Sequence, residues 1–350
     1  MVALHLSAGA TVHQRLRAEP RETILTTARA PGKVILFGEH AVVYGRPAIA
    51  VPVAQVRATA MLNDASVGHG LVIDAPDLGL RHHVGDNTAP EHPAYALDVT
   101  VRNTLARLGV KHIPDLILTV SSTIPVACGL GSGAAIAAAL VRVLSHHLGS
   151  SLSPEDVSAL VYQTELIHHG TPSGIDNTVV SYERPVYFVR GQPIELLHVG
   201  HPFWLVIGDT GAASPTRIVV ADVRRRFQER PDYYNARFDE IGAIARQARQ
   251  AIVDGHTAAL GPLMTQNHQL LQDIDVSSSQ LDALIEAALG AGALGAKLCG
   301  AGRGGNMVAL VEHRHKQVVA DALLRAGAGN VIVTRVAAPR RPFSESPSTC

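Results

Sequence analysis

Apolar positions along the chain follow two spacings, and the spacing in each stretch predicts its element. Continuous or alternating β-branched runs at Thr23–Thr27, Val34–Phe37, Ile49–Met61 and Leu116–Ser121 predict strands. Ala94–Leu108 has helical periodicity and is closed by Gly109, a residue that readily takes the left-handed turn ending a helix. Ile136–Leu148 predicts a buried, Ala-rich helix ending at Gly149. Ser153-Pro154-Glu155-Asp156 supplies an N-cap, a first-turn proline and acidic first-turn residues for a helix reaching about His168. Strands near Val186–Val189 and Glu195–His198 flank a Gly191-Gln192-Pro193 turn, and His201-Pro202 marks a boundary near residue 200. The second half opens with a strand at Phe203–Gly208 and continues with helices at Tyr234–Asp254, His256–Gln272 and Ser279–Leu289. Strands at Met307–Val311 and Val331–Val336 bracket a last helix, His315–Ala326. Strands and helices mix without strict alternation, which favours an α+β class over a doubly wound parallel sheet. The expected division is an N-terminal domain over 23–200 and a C-terminal domain over 201–338. Residues 1–22 read as a flexible extension and 339–350 as a polar, disordered tail.

Composition narrows the function classes. The 350 residues carry 30 Lys+Arg against 30 Asp+Glu, so no general attraction for nucleic acid or anionic membranes is expected. Hydrophobic residues at 47% suffice for sizeable cores. Three cysteines, Cys128, Cys299 and Cys350, exclude a disulfide scaffold and fit a cytoplasmic protein. Met1–Glu19 carries scattered His and Arg, so no signal peptide is expected. The longest apolar candidate, Ala134–Leu144, is broken by Arg142 and falls short of the ~20 residues that span a bilayer. Only Lys33, Lys111, Lys297 and Lys316 among the 30 basic residues are lysines. Such scarcity draws attention to each remaining primary amine, although codon bias explains it equally well.

Three glycine-rich segments concentrate the reactive side chains. Ala30–His40 places Lys33, Glu39 and His40 around one short strand; Val34 stands where a Walker A loop needs Ser or Thr. An edge lysine at a strand start accounts for the same residues. Ile124–Ala135 runs through Gly129-Leu130-Gly131-Ser132-Gly133 into the predicted buried helix. Backbone N–H groups at such a helix N-terminus can converge on a phosphate, and the helix dipole favours the anion. Close helix packing is the competing explanation. Lys297–Gly305 precedes a strand instead of a helix and so is no dinucleotide fingerprint; it reads equally as a hairpin-like turn. Between the second and third segments, Glu165 and Asp176 form a carboxylate pair suited to one metal-binding and one proton-accepting role, or to a helix end followed by an Asp/Asn turn. His146-His147 and His168-His169 do not support zinc, because adjacent helical residues point about 100° apart.

Together these segments resemble the GHMP kinase superfamily from about Arg29 to Val336, with three family motifs in order. Ala30–Gly45 (APGKVILFGEHAVVYG) carries the most specific wording, that of the branch acting on mevalonate. Pro125–Ala135 resembles the nucleotide phosphate loop, Gly170–Asn177 the segment bearing the catalytic Asp, and Lys297–Gly305 the third motif. Gly208-Asp209-Thr210-Gly211 and Asn267–Leu271 also match. The resemblance implies a two-domain α+β fold with ATP and mevalonate meeting in the cleft between domains, and transfer of the γ-phosphate to the C5 hydroxyl. It implies Lys33 and Asp176 as catalytic residues and Glu165 as a Mg²⁺ ligand. Glu39, His40, Ser173 and Thr216 would bind substrate. Pro125, Gly129, Leu130, Gly131, Ser132, Gly133, Ala134 and Ala135 would hold ATP. One departure stands out: many members carry a Mg²⁺-contacting serine where this chain has Gly133, which leaves Ser132 or a water as the replacement. The resemblance leaves room for a homodimer.

Overall fold

The computed structural model describes residues 25–125, 129–170, 172–214 and 216–338. The expected N-terminal extension, the C-terminal tail and Cys128 lie outside them.

The first half builds one seven-stranded sheet. The two runs read as separate strands, near Thr27 and over Val34–Phe37, are parts of one, β1 (Thr26–Phe37), which pairs antiparallel with the long β2 (Ala48–Asp64). Their register shifts at Pro31/Gly32, where Pro31 offers no N–H to the ladder. The bulge turns Gly32 and Lys33 towards the loop at 129–131, and the Lys33 N–H donates to the Leu130 carbonyl at 2.9 Å. Short strands β3 (Leu71–Ala75) and β4 (Leu80–His83) were not expected from the pattern. They extend the sheet through β5 (Leu116–Ser122), while β6 (Val186–Phe188) and β7 (Glu195–Leu196) complete it on the other side of β2. β3 and β5 run parallel.

Among the described residues, this half has four α-helices: α1 (Tyr95–Arg107), α2 (Ser132–His147), α3 (Pro154–His169) and α4 (Ile175–Tyr182). In α2, Ala134, Ala135, Ala137, Ala138 and Ala139 are all buried, and their small side chains let the helix lie close on β1 and β2. Ser153 caps α3 as expected, its hydroxyl accepting from the Asp156 N–H at 3.1 Å. Asn177 ties α4 to α3 by donating to the Ser158 hydroxyl at 2.9 Å.

The second half builds a four-stranded antiparallel sheet in the order β11-β8-β10-β9, from β8 (Phe203–Asp209), β9 (Gly295–Cys299), β10 (Asn306–Val311) and β11 (Asn330–Val336). Its helices are α5 (Thr216–Glu229), α6 (Pro231–Asp254), α7 (Leu260–Asp273), α8 (Ser279–Gly290) and α9 (Lys316–Arg325). One buried apolar cluster runs from Ala28 through Phe238 to Val336, so the two halves share a core. Among the described residues, no helix is long and apolar enough to cross a membrane.

The turn after β1 is the tightest point of the fold. Gly38 has φ 96°, and a Cβ there would lie 2.4 Å from the Pro47 carbonyl oxygen. Gly38→Ala combines a left-handed backbone strain with a backbone clash. It should destabilise the protein by about 2–4 kcal/mol in chemical denaturation. An unchanged unfolding midpoint would show that the turn relaxes freely.

Candidate active site

The first two glycine segments and the carboxylate pair meet where β1, α2, α3 and α4 converge, while the third reaches Glu39 and His40 from the second half. Lys33 leaves β1 only 4% exposed, and its Nζ stands 2.8 Å from Asp176 Oδ1. Burial works against the ammonium, but the charge and hydrogen bond of Asp176 outweigh it and hold the lysine pKa above its ordinary value. Asp176 sits in the first turn of α4, where the helix dipole favours its carboxylate. This turn is set by Gly174 at φ 94° and by the Ser173 hydroxyl, which accepts from the Ile175 N–H at 3.3 Å. Ser173 therefore braces the turn that carries Asp176. The Asp/Asn turn of the sequence reading is in fact the start of a helix.

Glu165 on α3 is buried beside this pair. Burial first, and the charge of Asp176 second, push its pKa up to about 8 against the pull of Lys33. At neutral pH Glu165 is therefore largely protonated beside the charged Lys33–Asp176 pair.

The phosphate-type loop closes over the same spot. Gly131 caps α2 in the left-handed conformation, φ 73°. A Cβ there would come within 3.0 Å of the Lys33 Cε and 3.6 Å of Asp176 Oδ2. At Gly133 a Cβ would lie 3.6 Å from Glu165 Oε1 and 3.5 Å from the His168 ring. The loop therefore faces the lysine–aspartate pair at one end and Glu165 with His168 at the other. The N–H groups of Gly131, Ser132, Gly133 and Ala134 belong to the unpaired start of α2. Two members of the expected ATP set cannot donate there: Pro125 has no N–H, and the Ala135 N–H is used by the Gly131 carbonyl at 2.9 Å. A mostly apolar cavity of about 180 Å³ opens beside Ser132, Gly133 and His168, with Ala75, Leu97 and Val120 in its wall.

Glu39 and His40, expected to line the substrate pocket, are tied through their polar atoms to the second half. Glu39 Oε1 accepts from Lys297 Nζ in a fully buried ion pair that joins the two halves. Burial still pushes the Glu39 pKa up despite Lys297. Its second oxygen, Oε2, is buried and has no hydrogen-bond partner among the described residues. His40, held at φ 59°, donates its Nε2–H to the Ala301 carbonyl at 2.9 Å. Burial lowers its pKa to about 4, with Arg303 and Lys297 adding to the effect. Thr216 is exposed at the start of α5; the adjoining Ser214 hydroxyl donates to the Gly302 carbonyl at 2.8 Å and ties this segment to the third glycine turn.

Sequence reasoning left the role of Lys297 open and gave none to His168. The scarcity of lysine was the available signal for the first: two of the four lysines are the two buried amines of this site. His168 carried no signal beyond sitting one turn beyond Glu165 on α3.

A glycine loop over a buried lysine–aspartate pair in the first half, tied to the second half through Glu39 and Lys297, fits a small-molecule kinase site. The family descriptions "GHMP kinases N terminal domain" and "GHMP kinases C terminal" match residues 95–184 and 248–329. The mevalonate kinase of Pyrococcus horikoshii is 36% identical over 327 residues, covering 88% of this chain and 95% of that one. That of Pyrococcus abyssi is 35% identical over 330 residues, covering 89% and 96%. Among solved structures, L. major mevalonate kinase in complex with R-mevalonate superposes with a TM-score of 0.78 at 29% identity, covering 92% of this chain and 99% of that one. The chain belongs to the GHMP kinase family and is an ATP-dependent small-molecule kinase. The relatives that share most of its length are mevalonate kinases.

Two outcomes follow from the buried charges. Lys297→Met leaves Glu39 without its partner and should cost about 3–5 kcal/mol in urea denaturation, with much of the loss recovered when Glu39→Gln is added. For His40, the folded pKa of about 4 lies below the ordinary 6.5, so the unfolded chain takes up the proton first. Its contribution is complete above about pH 6.5 and is lost as pH falls towards 4, amounting to about 3 kcal/mol. Over that range His40→Gln should flatten the stability curve; identical slopes would remove His40 from the account.

Proposed function

We propose that this kinase transfers the γ-phosphate of ATP to the C5 hydroxyl of (R)-mevalonate, giving 5-phosphomevalonate and ADP. The observation that carries the mechanism is the 2.8 Å Lys33–Asp176 pair under the glycine loop at the N-terminus of α2. Its support for this substrate is the likeness to mevalonate kinases over most of the chain. The divisions 23–200 and 201–338 serve as the two domains, with the cleft between them, and the enzyme works in the cytoplasm.

Each residue then has a physical task. The phosphates lie on the N–H groups of Gly131–Ala134, where the α2 dipole offsets their charge. The adenosine enters the mostly apolar cavity beside Ser132. The Lys33 ammonium stabilises charge developing on the attacking oxygen, and Asp176 accepts the hydroxyl proton as the O–P bond forms and the bond to ADP breaks. Glu39 Oε2, buried and unpartnered, is the acceptor for a second substrate hydroxyl, while Lys297 fixes its position. His40 and the Ser214–Thr216 segment shape the wall on the side of the third glycine turn.

The residues fit a Mg²⁺ ion. That ion commonly takes one or two carboxylates and completes its shell with phosphates and water. Glu165 and Asp176 face the phosphate loop and match this donor set, and Glu165 would give up its proton to a bound cation. Glu165 would hold the ion, with Ser132 beside it; when bound, it supplies charge neutralisation for the transferring phosphoryl group.

Purified protein with ATP and Mg²⁺ should phosphorylate mevalonate and leave phosphomevalonate unchanged; the reverse result would reject the substrate. Asp176→Asn should lower turnover at least about a hundredfold, with ATP and mevalonate affinities within about tenfold of the parent. A folded Asp176→Asn protein with near-parental turnover would remove the aspartate from the chemistry.

A further inference from the structure

One basic residue interrupts the buried face of α2 and has no part in the chemistry. Arg142 breaks the apolar run Ala134–Leu144, and its side chain is only 15% exposed. Its guanidinium is directed at oxygens on two other elements of the site. Nη1 donates to the Arg29 carbonyl of β1 at 2.8 Å and to Glu183 Oε1, just beyond α4, at 2.6 Å. Nη2 donates to the Ser181 carbonyl at 2.8 Å and to the Val180 carbonyl at 3.2 Å, both in the last turn of α4. A single planar fork thus joins the helix that follows the phosphate loop, the strand that carries Lys33 and the helix that carries Asp176.

Both partners need such an anchor. α4 has eight residues, and helices shorter than ~12–15 residues are marginal without tertiary support. Its last carbonyls have no acceptor role inside the helix. The Val179 carbonyl takes the Glu183 N–H at 2.9 Å, and Arg142 takes the next two. A cation at this end also complements the helix dipole, as the Asp176 carboxylate does at the other. On β1 the bulge at Pro31/Gly32 separates Arg29 from Lys33. The Arg29 carbonyl is held by Arg142 and the Lys33 N–H by the Leu130 carbonyl, so the bulge is fixed on both sides.

We propose that Arg142 is a positioning residue for phosphoryl transfer: by tying α4 and β1 to α2 through one guanidinium, it sets Asp176 against Lys33 under the glycine loop. The inference rests on the roles given to those two residues above. Asp176 lies ~9 Å along the helix axis from Tyr182, at ~1.5 Å per residue, so a tilt of the clamped end moves the carboxylate. Misplacement by an ångström, from a change far from the reacting atoms, can cost about a hundredfold in rate. A lysine at position 142 would keep the charge, but one ammonium cannot span both elements as the fork does.

Steady-state kinetics on the parent, Arg142→Lys, Arg142→Met and Glu183→Gln test this, with competent protein counted by the stoichiometry of ATP binding. Arg142→Lys should lower kcat per competent molecule by about ten- to a hundredfold, with the KM for ATP and mevalonate within about threefold of the parent. Arg142→Met should lose at least as much; if it does not fold, Arg142→Lys still decides. Glu183→Gln removes a partner that is 41% exposed and leaves the three carbonyl bonds in place. Its kcat should therefore stay within about twofold of the parent. A parental kcat per competent molecule in Arg142→Lys overturns the proposal and leaves the arginine a stabilising clamp. So does a rise in KM with kcat intact. A loss in Glu183→Gln as large as in Arg142→Lys also contradicts it, by assigning the effect to the ion pair. A folded, ATP-binding parent that leaves mevalonate unphosphorylated would instead overturn the substrate reading.

Discussion

An ammonium that is 4% exposed survives in this protein because a carboxylate meets it at 2.8 Å, and the rest of the site is arranged around that pair. Lys33 comes from a bulged strand, Asp176 from the first turn of a short helix, and the roof from a glycine loop more than ninety residues after the lysine. The β1 bulge, the cap at Gly174 and the left-handed Gly131 each serve to bring these charges together. Leaving either partner alone in this environment would cost several kcal/mol. The pair is therefore a structural constraint first and a chemical device second.

A second buried pair holds the two halves at one setting. Lys297 belongs to the four-stranded sheet and Glu39 to the turn leaving β1, so their contact crosses between the halves, close enough to Lys33 for its charge to act on Glu39. Cys299 Sγ adds a bond to the Ile35 carbonyl at 3.3 Å, and burial pushes its thiol pKa up to about 11, which makes it a packing group. The His40–Ala301 bond completes the seam. Positioning dominates phosphoryl transfer, and these buried polar contacts hold the residues on the two sides of the seam at one setting.

Much of this was legible before any coordinates. The capped α3, the Ala-rich α2 and the long helices of the second half follow from spacing and punctuation. The glycine motifs marked the loop, and the class of enzyme follows from their wording and order. What was not legible has physical reasons. α4 is eight residues long and starts after Pro-Ser-Gly, so it lacks a helical period and read as a turn. β9 (GAKLC) carries no β-branched residue and is a strand only because both its faces are buried. The arginine-rich α5 has β-branched apolar residues, Ile218, Val219, Val220 and Val223, which do not favour a helix, and of these only Val219 and Val223 are buried. Lys33 and Asp176 stood out by residue type, but the Lys297–Glu39 pair spans 258 positions and leaves no local trace.

The account stands on Lys33 and Asp176 acting as one unit on the hydroxyl of mevalonate. A single-turnover double-mutant cycle measures this directly, with phosphorylation rates for the parent, Lys33→Met, Asp176→Asn and the double variant at saturating ATP and Mg²⁺. Groups that work as a unit lose nearly everything at the first substitution, so the double variant should be no slower than the slower single one. Rates that fall multiplicatively, each substitution adding its full loss, would contradict the account.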